Sequence, residues 1–260
     1  MKIVGSAIAA LTDFVLDAVF PANIYCIGCG AVIDKSHPYS LCGRCLSHFH
    51  FASDRTCLKC GKLLEEGYQH SICRDCRTFE REFERGYTCM LYGLYEKEMI
   101  RAFKYKDRCY YAYYLGELMY DRIAPIFEEE IRADIVVPVP LHRKKLAKRG
   151  YNQAELLAQE VAARLFLPEK KALIRTVNTK PMSRLSGIER RENLQGAFAV
   201  PPQYISEIKQ KCILLIDDIF TSGSTADACA RTLKSAGASA VVLLSLAAGG
   251  NSGARDGDES

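Results

Sequence analysis

The chain has 260 residues, of which 48% are apolar and 25% charged, and its net charge at pH 7 is +4. That length holds one large domain plus a small one, and the composition is that of an ordinary globular protein rather than a fibrous or low-complexity chain. The mild basic excess allows a polyanionic ligand without demanding one.

The N-terminal stretch MKIVGSAIAALTDFVLDAVFPANIYC is interrupted by Asp13 and Asp17. It does not reach the ~18 apolar residues that a membrane span requires. A signal peptide is the weaker reading, because the acids fall inside the apolar core and no clear cleavage site follows. Leu11, Val15, Leu16 and Val19 predict a short amphipathic helix instead. The expectation is a cytoplasmic protein without membrane insertion.

Eight of the 12 cysteines then form four Cys-x-x-Cys pairs, Cys26/Cys29, Cys42/Cys45, Cys57/Cys60 and Cys73/Cys76. Two intervening residues let both thiolates of a pair face one metal, and a second pair completes a tetrahedral zinc site. The segments CIGCGAVIDKSHPYSLCGRC and CLKCGKLLEEGYQHSICRDC are each 20 residues long, with cysteines at identical offsets. This repeat favours two sequential structural zinc sites, one on Cys26, Cys29, Cys42 and Cys45 and one on Cys57, Cys60, Cys73 and Cys76. A crossed arrangement is the other reading. Disulfides would suit a secreted mini-domain, but no convincing signal is present and four further cysteines remain, so zinc in a reducing compartment is preferred. His37, His48, His50 and His70 are read as surface residues. Closed all-cysteine sites leave no open position for chemistry, so the ribbons are structural or form a docking surface. Cys89, Cys109, Cys212 and Cys229 are read as inert packing residues.

RTFEREFERGY (residues 77–87) is charged and reads as a connector. Arg101, Lys104, Lys106 and Arg108 follow as a basic cluster with Tyr105 and Tyr110 among them, which are packing residues or stacking platforms for bases. VVPVP predicts a short strand. HRKKLAKRGYNQ carries Arg143, Lys144, Lys145, Lys148 and Arg149 with no acid between Asp134 and Glu155. It is read as a pyrophosphate clamp, a nucleic-acid phosphate contact or a solvated basic loop. NQAELLAQEVAARLF predicts an amphipathic helix, with Leu156, Leu157, Val161 and Leu165 on one face and Asn152 and Glu155 as a capping pair. KALIRTV is a candidate strand. CILLIDDIF has no polar alternation, as expected of a strand buried on both faces in a parallel sheet. STADACARTLKSAGA predicts a helix ending near Gly237, and SAVVLLSLA a last buried strand. The polar tail GGNSGARDGDES is expected to be disordered. Strands alternating with helices imply a parallel α/β sheet.

Ligands of open parallel sheets bind beyond the carboxyl ends of the strands, where Asp217 and Asp218 stand. The following Thr221, Ser222, Gly223, Ser224 and Thr225 turn into a helix, whose N-terminus favours a phosphate. Carboxylates repel a phosphate but accept hydrogen bonds from sugar hydroxyls, so the pattern suits a ribose 5-phosphate group.

ILLIDDIFTSGST resembles the phosphoribosyl pyrophosphate (PRPP) motif of type I phosphoribosyltransferases. Together with FKYKDR (residues 103–108), PVPLHRKKLAKRGYNQAELLA (138–158) and RLSGIERRENLQGAF (184–198), it is similar to the ComF competence family, also called GntX-like. That resemblance covers nearly the whole chain. It implies an α/β, parallel-sheet type I phosphoribosyltransferase fold over residues 86–248, preceded by an N-terminal helix and double zinc ribbon in residues 1–80 and followed by a tail over 249–260. It also implies PRPP binding by Asp217, Asp218, Thr221, Ser222, Gly223, Ser224 and Thr225, with Mg²⁺ accompanying PRPP. The family often has Gln where this chain has Met182, so contacts to an acceptor differ here if that Gln touches it. The expected function is phosphoribosyl transfer to an unknown acceptor with release of pyrophosphate. The alternative is a single-stranded DNA-binding component of DNA uptake in natural transformation, with the zinc ribbons docking on a partner such as a DNA-uptake helicase.

Overall fold

The computed structural model describes residues 24–53, 55–104, 108–127, 129–177, 194 and 196–250. The expected N-terminal helix, Met182, most of the RLSGIERRENLQGAF stretch and all but the start of the polar tail lie outside these residues. The chain divides into two compact units, residues 1–48 and 49–260.

In the first unit, Tyr25 and Val32 form an antiparallel bridge around the first cysteine knuckle. A 3₁₀ turn at Pro38–Ser40 leads to the short helix α1 (Gly43–His48) that carries Cys45. The second unit begins by repeating this plan. Thr56 bridges Leu63, and helix α2 (Arg74–Thr78) carries Cys76. The correspondence extends to single bonds. Gly30 N–H donates to the Cys26 carbonyl at 2.8 Å, and Gly61 N–H donates to that of Cys57 at 2.8 Å.

The rest of the second unit is an α/β layer structure. Its elements are β1 (Arg85–Leu91), α3 (Leu94–Ala102), α4 (Tyr111–Ile123), β2 (Ile135–Pro138), α5 (Arg143–Arg149), α6 (Gln153–Leu165), β3 (Ile174–Arg175), β4 (Phe198–Ala199), α7 (Pro202–Ile208), β5 (Cys212–Phe220), α8 (Ser224–Ser235) and β6 (Ala240–Ala248). Four strands form one sheet in the order β1-β6-β5-β2, every neighbour parallel. The mixed α/β class with a parallel sheet, expected from sequence, is what the chain adopts. Both central strands are buried along most of their length, which is why neither shows polar alternation. Helices α4 and α6 pack together and reach β1, β2, β5 and β6, while α8 contacts β4, β5 and β6. A separate antiparallel pair joins β3 to β4, so KALIRTV supplies only a two-residue strand outside the main sheet.

Three sequence readings change. The charged run at 77–87, read as a connector, packs into the fold, since Arg81 and Phe83 within it are buried and its last residues begin β1. Phe83 packs edge-on against Phe220 with centroids 6.1 Å apart. The basic segment after Pro140 is a helix, α5, rather than a loop. His142 caps it, its Nδ1 accepting from the Lys144 N–H at 3.3 Å. Asn152 does precede α6, but its side chain donates to the Val139 carbonyl at 2.9 Å and does not cap the helix. Glu155 pairs with Lys171. The amide therefore ties α6 to the chain leaving β2.

Candidate functional site

Each cysteine set assembles on its own, Cys26, Cys29, Cys42 and Cys45 in one cluster and Cys57, Cys60, Cys73 and Cys76 in the other, with all four sulfurs of a cluster within 4.8 Å of one another. The pairing is sequential. Cys29 Sγ lies 3.7 Å from Cys42 Sγ, and Cys60 Sγ lies 3.7 Å from Cys73 Sγ. A tetrahedral ion with Zn–S bonds of about 2.3 Å separates its sulfurs by about 3.8 Å, so both sets fit structural zinc. Further donors support this. The Cys42 N–H points at Cys26 Sγ at 3.3 Å and the Cys73 N–H at Cys57 Sγ at 3.2 Å, and such bonds favour thiolates. In the second cluster, hydrogen bonds between thiols push Cys57 down and Cys60 up. Four sulfurs crowded together share protons in this way, and a dication replaces those protons. All twelve cysteines are unbridged.

The two clusters differ in surroundings. Cys57, Cys60 and Cys73 belong to the same apolar core as Phe83, Phe220, Leu215 and Leu233. Gly61, with φ +75°, is pressed against β1, where a Cβ would fall 2.6 Å from the Gly86 carbonyl oxygen. In the first cluster, Cys29 is exposed. His50 sits 3.1 Å from the buried Glu96 carboxylate and is not a ligand. Burial pushes the thiols of Cys89 to about 12 and Cys212 to about 11, and raises Cys229 as well. Cys89 and Cys229 are buried, as packing residues are, and Cys212 is half-buried, whereas Cys109 is exposed and is not a packing residue.

At the carboxyl end of β5, Asp217 is paired in register with Ser245 of β6. Its Oδ1 accepts from the Asp218 N–H at 2.9 Å, and Asp218 Oδ1 accepts from the Ile219 N–H at 2.9 Å. Burial, followed by the neighbouring Asp218, raises the Asp217 carboxyl well above its ordinary range. The chain then turns through Thr221 and Ser222 to Gly223, whose φ of +83° starts α8. Ser222 Oγ lies 3.0 Å from Ser224 Oγ. The acids and the hydroxyl-rich turn named from sequence thus occupy one strand end and one helix N-terminus.

Cations converge on the same edge. Lys104 Nζ lies 3.9 Å from Asp218 Oδ2. The segment that carries it is held by the start of α6 and the residues before it, since the Phe103 carbonyl accepts from Tyr151 Oη and Gln153 Nε2 at 2.5 and 3.2 Å. Partial desolvation, then Arg175, Arg149 and Lys104, lower the Lys145 ammonium. Burial lowers Arg175, and the nearby Asp217 opposes that. Arg143 and Arg175 both line a cavity of about 260 Å³ next to β2, with Pro140, Leu141, Asn152 and Lys171. Of the basic helix, Arg149 is turned inward, paired with Gln153, whereas Arg143, Lys144 and Lys145 stay exposed. Tyr110 is exposed and accepts from Arg108 at 2.8 Å. Tyr105 and Lys106 lie outside the described residues. Sequence reasoning missed Arg175 and Arg81. The first sits on a two-residue strand with no pattern around it, and the second is hidden among the charges of the 77–87 run.

Two features define the class of this chain: a paired set of four-cysteine zinc ribbons and a parallel α/β sheet whose strand ends carry acids and a helix-starting turn. Residues 15–77 match the double zinc ribbon domain family. Over 231 residues the chain is 28% identical to competence protein F of Haemophilus influenzae, covering 86% of this chain and 90% of that protein. It is 32% identical over 114 residues to the DNA utilization protein YhgH of Escherichia coli K12, a match spanning 44% of this chain and 48% of that one. Among solved structures it is similar to the glutamine PRPP amidotransferase of B. subtilis complexed with ADP and GMP, at 19% identity and a TM-score of 0.33, over 50% of this chain and 25% of that one. Over nearly its whole length the chain is thus similar to a competence protein.

Proposed function

We propose that the chain binds PRPP and transfers its phosphoribosyl group to an acceptor with release of pyrophosphate. The observation that carries this reading is the adjacency of Asp217 and Asp218 to the Ser222–Gly223–Ser224 turn, with Lys104 facing the acids. In this reading the carboxylates accept the ribose 2- and 3-hydroxyls. The 5-phosphate takes the N–H groups and hydroxyls of residues 221–225 at the start of α8. Lys104, Lys145, Arg149 and Arg175 face the pyrophosphate. The bond from C1 to the pyrophosphate oxygen breaks with its electron pair leaving on pyrophosphate, and the acceptor bonds to C1. Fixed cations favour the charge that develops on the leaving oxygen, and this positioning is the main catalytic device. Mg²⁺ accompanying PRPP would neutralise part of the phosphate charge that these cations face.

A second reading is favoured by the exposed Arg143, Lys144 and Lys145 and the exposed Tyr110 and Tyr113. Here single-stranded DNA contacts these exposed groups, consistent with the names of the relatives, and PRPP binding is regulatory or vestigial. We place the protein in the cytoplasm, where the zinc ribbons remain reduced and can dock a partner such as a DNA-uptake helicase. Among the described residues no helix is long and apolar enough to cross a membrane.

Pyrophosphate release from Mg–PRPP on adding candidate bases or nucleic acid tests transfer. The account expects release that Asp218→Asn lowers at least about tenfold, the effect of losing a hydrogen bond to a charged group. Binding of PRPP with no release in any acceptor screen would leave the second reading standing. That reading expects DNA affinity to fall steeply with salt, and less steeply in Lys144→Ala/Lys145→Ala.

A further inference from the structure

Arg81 holds a place that neither the zinc sites nor the sugar-phosphate site requires by itself. Its side chain is fully buried. Nε donates to the Cys76 sulfur at 3.2 Å, while Nη1 donates to the Ser222 carbonyl at 2.8 Å and to Asp227 Oδ2 at 3.0 Å. The guanidinium lies over the Phe220 ring, 5.7 Å from its centroid. The other Asp227 oxygen accepts from the Glu82 N–H at 3.1 Å, so the carboxylate is fixed from two sides. Nη2 has no partner among the described residues, a cost that an ordinary structural ion pair would avoid.

One guanidinium therefore touches a zinc-ligand thiolate, the carbonyl of the hydroxyl-rich turn and the first turn of α8. The geometry has a directional consequence. In a trans peptide, the carbonyl of one residue and the N–H of the next point in opposite directions. Holding the Ser222 carbonyl inward turns the Gly223 N–H outward, to the side from which an anion approaches. Gly223 also leaves room for the guanidinium, since a Cβ there would fall 2.3 Å from Nη1. We propose that Arg81 is a positioning residue that couples the second metal centre to the phosphate-binding turn, so that loading of this centre holds the Gly223 N–H in its anion-binding orientation. This inference rests on the reading of residues 221–225 as a phosphate site.

The test uses the full chain loaded with Co²⁺ in place of zinc. Arg81→Lys keeps the charge but cannot span three acceptors. It should retain the cobalt d–d bands of a four-thiolate site and shift the thiolate-to-cobalt charge-transfer band. It should also raise amide exchange over residues 221–227 at least about tenfold, and weaken Mg–PRPP binding by about tenfold or more. An intact cobalt centre with wild-type exchange at 221–227 overturns the proposal. If Arg81→Lys does not fold, Gly223→Ala decides from the other end. It touches no metal ligand, yet it should move the charge-transfer band, and an unmoved band contradicts the coupling. If the wild-type chain binds no PRPP, the phosphate-site reading fails, while the exchange and cobalt data still settle whether Arg81 joins the turn to the metal centre.

Discussion

Asp217 is nearly buried beside a second carboxylate, and the apo protein gains nothing from ionising it. Its carboxyl holds a proton more tightly in the folded chain than in the unfolded one. The stability it contributes is thus complete below the ordinary carboxylate range and is lost as pH rises through the elevated folded value. Asp217→Asn removes that loss. It is expected to stabilise the ligand-free protein at pH 7 by about 1 kcal/mol, or about 2–4 °C in melting temperature, and to flatten the decline of stability with pH. Calorimetric melts of wild type and variant between pH 5 and 8 check this, and a variant less stable than wild type at pH 7 would mean that the buried acid is structural. The pair was legible because an apolar run ending in two acids has no reason to exist within a core. Arg81 was not legible. Its neighbours Glu80, Glu82 and Glu84 give that stretch the look of a solvated linker, and only the fold shows one of its charges turned fully inward.

The two ribbons are copies in sequence and in local hydrogen bonding, but not in burial. The second lies in the same apolar cluster as the sheet and α8, so its metal holds part of the larger unit's core together. Cys60→Ser is expected to lower the main melting transition by about 10 °C or more, as the loss of several kcal/mol would. Cys29→Ser, in the first ribbon, should reduce zinc from two ions per chain to one and leave that transition nearly in place. Equal shifts for the two variants would contradict this asymmetry. Cysteine spacing made the pairing legible, whereas burial depends on what each ribbon packs against, which no spacing records. The buried strands β5 and β6 and the helices α6 and α8 were legible from unbroken apolar runs and helical periodicity. Strand β1 was not, because Thr88 and Cys89 break its apolar run, and only the 3.0 Å contact between the Thr88 and Ser245 hydroxyls explains a buried threonine there. Helix α5 was not legible, because its basic residues show no apolar stripe. His142 at its start and Gly150 at its end close it.

The chain as a whole is only mildly basic, yet its cations are unevenly placed. Lys104 and Arg175 lie near Asp218 and Asp217, with Lys145 and Arg149 beside them, on elements separated by about seventy residues of sequence, whereas Arg143 and Lys144 are left to solvent. One set suits a compact polyphosphate, the other an extended one. Which anion the protein is built for comes down to whether the acids grip a sugar. Calorimetric titration of Mg–PRPP into wild type and into the Asp217→Asn/Asp218→Asn double variant answers this most directly. The account predicts saturable one-site binding to wild type, weakened by about a hundredfold or more in the double variant, as two lost hydrogen bonds to charged groups require. Equal affinity in the two proteins, or no binding to either, would contradict it.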